Sequence, residues 1–237
     1  MAARAALLCL LVLLPGAAAA QALSFDLGDG SLSLRTVQLF VLVTVLSLAP
    51  GLAIMLTCFP FMVTVLSILR QAIGVQQAPP NMLIVSLALF LTWFVMEPVF
   101  SAAWAEGITP LLNQEIAVEE SFGRTLAPFR VFMEGRVDPA TIETLASARG
   151  RPVGAEIPLD LLVPSFLLTE VQRGFEVGFM IFLPFLVIDL VIAAILMSMG
   201  MMMVPPVVVS LPFKLAFFVM ADGWTLLAGA LVRSYGS

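Results

Sequence analysis

Residues 161–203 read LLVPSFLLTEVQRGFEVGFMIFLPFLVIDLVIAAILMSMGMMM, with Glu170, Arg173, Glu176 and Asp189 as their charged positions. As one helix this stretch would extend about 65 Å, against a hydrocarbon core of ~30 Å. It is too long for a single span and suits two halves. Pro184 near its middle is expected to kink or break it, and Pro205-Pro206 to end it. Val207–Val232 follows as a last apolar segment with Pro212 near its start.

Toward the N-terminus, residues 104–160 hold fourteen of the 27 charged residues. They read as an exposed helical insert, with amphipathic helices expected over 111–122 and 139–148. The insert's acids, including Glu119-Glu120, have no metal-ligand spacing and read as a solvated face. Before the insert, residues 36–103 carry Arg70 and Glu97 as their charges. Thr36–Leu69, interrupted by Pro50-Gly51 and Pro60, reads as a broken helix or hairpin. Met82–Ala103 suits one simple crossing. The expected fold is therefore all-α and integral to a membrane. It has four apolar helical segments, two of them long and broken into hairpins. Broken backbone at membrane depth is tolerated where protein covers it, which points to a multi-subunit assembly.

Composition supports the class. Apolar residues make up 61% and charged residues 11%, where soluble domains carry about 25% charged. That excludes an ordinary soluble globule and a disordered chain. The net charge of −5 comes without a polybasic patch, so no nucleic-acid partner is expected. With no His, the imidazole triads, zinc sites and imidazole bases are excluded, and no cofactor or enzymatic activity is expected. Of the two cysteines, Cys9 falls in the leader and Cys58 reads as a small buried hydrophobe.

The N-terminus has the plan of a secretory signal: Arg4, an apolar run over Ala5–Leu14, Pro15-Gly16, and small residues at Ala17–Ala20. Cleavage is expected near Ala20. The divisions are then a signal peptide at 1–20, a first apolar pair at 21–103, a polar insert at 104–160 and a second apolar pair at 161–237. Cleavage places the mature N-terminus outside, Arg70 on the cytoplasmic side and the insert in the periplasm, in weak agreement with the positive-inside rule.

Two features carry candidate mechanism. Glu170, Arg173, Glu176, Asp189, Lys214 and Asp222 are charges in apolar surroundings. A charged side chain at mid-bilayer costs about 2.5–3.5 kcal/mol on the insertion scale, so such groups face protein or water. Arg173 stands three residues from both Glu170 and Glu176 and is placed to serve either carboxylate. These residues read as structural or inter-subunit ion pairs, with Arg136 a further candidate partner of Glu170. The competing reading is a proton path in a transporter using Asp189 and Glu170. The second feature is Met197-Ser198-Met199-Gly200-Met201-Met202-Met203, five methionines in seven residues. Soft thioether side chains from several subunits would seal a pore yet yield to a passing chain; the alternative is ordinary core filler.

The motifs LRQAIGVQQAPPN (69–81), MSMGMMMVPP (197–206), LPFKL (211–215) and DGW (222–224), in that order, resemble the FliP family of flagellar type III export-gate proteins. The resemblance extends from about Thr57 to Leu231 and is weakest in the insert. It implies a helical, cone-shaped channel of five copies with FliQ and FliR, in the inner membrane at the flagellar basal body. That channel passes unfolded flagellar subunits and is partly lifted above the bilayer. The resemblance also implies a methionine gasket at Met201, Met202 and Met203, with Met197 and Met199 beside it, and an energy source outside this chain. Gate subunits of virulence injectisomes are the nearest alternative; the signal-like start and the long insert favour the flagellar type.

Overall fold

The computed structural model describes residues 32–75, 78–150, 154, 156–201 and 203–236. The expected signal peptide lies outside them. The chain divides into two units, 1–48 and 49–237. The described residues are helical throughout their regular elements, in keeping with the all-α membrane class.

Helix α1, Leu32–Met55, begins in the first unit and ends in the second. Pro50-Gly51 lie within it, so the interruption expected there is absent and the break falls at Leu56–Cys58. The Thr57 hydroxyl makes that corner: it donates to the Ile54 carbonyl at 2.7 Å and accepts from the Phe59 amide at 3.3 Å. Helix α2, Phe59–Ile73, starts with Pro60 in its first turn, where a missing N–H costs nothing. It ends at Gly74, whose φ of 87° is the left-handed cap conformation that glycine adopts without strain.

Helix α3, Asn81–Ala103, runs on through a π-helical turn at Trp104–Ile108 into α4, Thr109–Leu112. The simple crossing expected to end at Ala103 is thus part of a 32-residue helical run. Gln114 at φ 61° then stops the chain, so the helix expected over 111–122 is displaced to α5, Val118–Glu134. Glu119 and Glu120 occupy its first turn, where carboxylates favour the helix dipole. Helix α6, Pro139–Ala148, is capped by Asp138, which accepts from the Ala140 amide at 3.2 Å.

Helix α7, Leu159–Ser198, is continuous for 40 residues, about 60 Å. This corrects the expected break at Pro184. The missing hydrogen bond is borne because the turn is held from outside: the buried Phe185 ring packs against Phe217 at 6.0 Å and Phe218 at 6.3 Å. The last apolar segment is instead the bent one. Helix α8, Pro206–Met220, and helix α9, Gly223–Arg233, meet at 61°.

The core of the second unit forms where α2 lies along α7. Phe61, Met62, Val65, Leu66 and Leu69 present the buried face of α2. Gly174 and Gly178 of α7 permit the close approach: a Cβ on Gly178 would stand 2.3 Å from Ile68 Cδ1, and one on Gly174 3.0 Å from Thr64 Cβ. This is the small-residue crossing that membrane helices use, written in the sequence as G-x-x-x-G.

Candidate functional site

Two buried charge clusters and one exposed turn gather the residues of interest. The first cluster centres on Glu170, which lies in the α7 wall with no solvent exposure. Arg136, from the turn between α5 and α6, reaches it at 3.3 Å, and Arg173, one turn along α7, at 3.8 Å. The Tyr235 hydroxyl, beyond α9, donates to the other carboxylate oxygen. Arg136 also stacks its guanidinium 4.0 Å over the Tyr235 ring and donates to the Ser234 carbonyl at 2.9 Å. Burial, with the Glu170 carboxylate beside it, pushes the Tyr235 phenol well above its usual range and keeps it protonated as a donor. The cluster thus joins insert, long helix and C-terminal tail through one carboxylate. Glu176 stands apart from it: Arg173 makes no ion pair with Glu176, which accepts from Gln172 at 3.0 Å.

The second cluster joins α7 to α8. Lys214, 4% exposed, donates to Asp189 Oδ2 at 2.6 Å and to the Ala72 carbonyl at the end of α2 at 3.0 Å. Ser210 donates to Asp189 Oδ1 at 2.5 Å. Both Asp189 oxygens and the Lys214 ammonium therefore have polar partners, as a buried pair requires. The same lysine fixes the C-terminal end of α2, and so the start of the 74–81 loop.

The methionine turn closes α7. Gly200 at φ 75° takes the left-handed position, and the Met201 amide bonds back to the Leu196 carbonyl at 3.0 Å, a Schellman ending. Met197, Met199 and Met201 are exposed, and Met203 is 97% exposed. Met202 lies outside the described residues. Among the described residues, no group of three or more His, Cys, Asp or Glu side chains is arranged to hold a metal.

Tyr235, Ser210 and the pairing of Lys214 with Asp189 escape a reading by spacing, because the partners stand 21 to 65 positions apart. One signal was available for the first: Tyr235 is the single tyrosine of the chain. The G-x-x-x-G pattern at 174–178 was likewise available.

Comparison with known proteins supplies the family. The FliP family matches residues 42–231. The chain is 50% identical over 236 residues to the flagellar biosynthetic protein FliP of Caulobacter vibrioides, covering 98% of this chain and 88% of that one. It is 47% identical to the protein of that name from Agrobacterium fabrum, covering 96% and 97%. Against that of Bacillus subtilis it is 44% identical, covering 84% and 92%. By sequence over most of its length and by its all-helical apolar build, the chain belongs to the FliP family.

Proposed function

We propose that this chain is a pore-forming subunit of the flagellar type III export gate, passing unfolded flagellar subunits across the inner membrane. Membership of the FliP family makes it a flagellar biosynthetic component of the export apparatus rather than an enzyme. Two helical runs long and apolar enough to cross a membrane, and a bent pair that would make a third, fit a membrane location. In this reading five copies assemble with FliQ and FliR, the insert at 104–160 faces the periplasm, and Arg70 faces the cytoplasm.

The observation that carries the pore role is the methionine turn. Exposed thioethers at Met197, Met199, Met201 and Met203 stand on a tight cap at the end of a 40-residue apolar helix. Repeated around a ring, they form a deformable apolar seal. Such a seal suits many passing sequences, because thioether packing is adaptable and non-directional. Replacing Met201, Met202 and Met203 together with Ala should make cells leak small ions while the complex still assembles. Tight membranes around a correctly assembled variant would overturn the seal.

A further inference from the structure

We propose that the methionine turn is a site of reversible oxidation, at which a peroxide converts thioethers to sulfoxides and so weakens the seal. The inference rests on the seal reading above and names a chemistry that regulates it. The chain carries 13 methionines, and the fold sorts them. Met62 and Met96 are fully buried and Met133 is 1% exposed, all within the core of the second unit. Met55, Met82, Met180 and Met220 are exposed singly, each on a different helix. At the end of α7 exposure and density coincide: Met197 is 61% exposed, Met199 65%, Met201 42% and Met203 97%. Cys58, the free cysteine among the described residues, is fully buried, so its thiol does not compete for an oxidant.

The backbone explains why these side chains stand outward. The Met199, Gly200 and Met201 amides donate to the Ile195, Met197 and Leu196 carbonyls at 3.1, 3.1 and 3.0 Å, and the Val204 amide to the Met201 carbonyl at 3.3 Å. The chain winds tightly on itself and leaves its side chains outside. Backbone that has left the helix is not tolerated against open hydrocarbon, so the turn meets water or protein. In a ring that closes a channel it borders the lumen, which a water-sized peroxide enters. The step is a two-electron oxygen transfer. The sulfur lone pair attacks one oxygen of H2O2, and the S–O bond forms as the O–O bond breaks. A proton moves to the departing oxygen, which leaves as water; sulfur is oxidised and the peroxide reduced. The product is polar and chiral where the thioether was apolar and pliable. Closing the ring on it strips water from an oxygen that neighbouring thioethers, having no donor, cannot satisfy. The closed state is therefore destabilised. A dithiol acting through methionine sulfoxide reductase removes the oxygen as water, becomes a disulfide and restores the seal.

The test uses the assembled complex, purified through a C-terminal tag and reconstituted in liposomes of saturated lipid. After H2O2 treatment, peptide mapping by mass spectrometry reads sulfoxide at each methionine, and efflux of a trapped ion reads the leak. The turn should oxidise about tenfold faster than Met62, Met96 and Met133. Efflux should rise about tenfold, the scale of one unsatisfied polar group in the closed ring. It should fall back after treatment with both epimer-specific sulfoxide reductases and dithiothreitol. Met82→Leu with Met220→Leu should leave the response intact. Leu at all five turn methionines should abolish the response, whatever efflux that variant shows at rest. A turn no more reactive than the buried core would overturn the proposal. So would a fully oxidised turn in a tight membrane, or a response that survives the five Leu substitutions. The alanine variant reads the seal without an oxidant, so the two readings fail separately: an alanine leak without a peroxide response sinks this proposal alone.

Discussion

At the residue scale, Glu170 and Lys214 show why charge survives in so apolar a chain. Each is buried, and each is met by partners from elements distant in sequence. Breaking such a pair from one side leaves an uncompensated charge, at about 3–5 kcal/mol. Arg136→Ala leaves Glu170 with the more distant Arg173 and the Tyr235 hydroxyl, and should therefore lower the yield of the complex on sizing in detergent. Adding Glu170→Gln should recover much of it, because the stranded charge is gone. The pair at Asp189 separates two functional classes. As a structural tie, Asp189→Asn strands the Lys214 ammonium and assembly fails, while Asp189→Asn with Lys214→Met restores it. A transporter using Asp189 would instead assemble normally as Asp189→Asn and lose activity. Motility and complex yield, measured together, decide between them.

At the element scale, the crossing of α2 with α7 depends on two glycines. Gly178→Leu drives a side chain into Ile68, whose Cδ1 a mere Cβ would already approach to 2.3 Å. Overpacking of this kind costs about 1–3 kcal/mol and lowers the melting temperature of the purified protein. Gly123 is the control. It lies in α5 with nothing within 4 Å of a Cβ, so Gly123→Ala should stabilise by about 0.4–1 kcal/mol through helix propensity and the unfolded chain. Pro184 carries the converse lesson. Local chemistry says that helix α7 stops there, yet Phe185 anchors the turn against α8 and the helix continues.

For the whole molecule, uncovered apolar surface dominates. Along α7, Phe175, Phe179, Met180 and Val187 stand exposed. A face of that size belongs against lipid or other subunits. Purified gently through a C-terminal tag, the chain should run as an assembly many times its own 25.4 kDa, with FliQ- and FliR-like partners, and with a mature start near Gln21. Intact mass and N-terminal sequencing check both, and a monomer with Met1 retained would contradict them.

The sequence by itself determined the class. Long apolar runs with 11% charge can be satisfied only by helices in or against a membrane, and backbone hydrogen bonding in hydrocarbon leaves few other solutions. It also determined the methionine run and the Glu170–Arg173 neighbourhood, since both rest on spacing within one helix. The tertiary structure alone decided which prolines bend the chain and which do not, because that depends on the neighbours that support the weakened turn. It alone brought Tyr235 to Glu170 and Lys214 to Asp189, and it sets Arg136, a candidate partner by sequence, 3.3 Å from Glu170. A buried charge is compensated by whatever the packing of distant helices places within hydrogen-bond reach, and no local periodicity encodes that meeting.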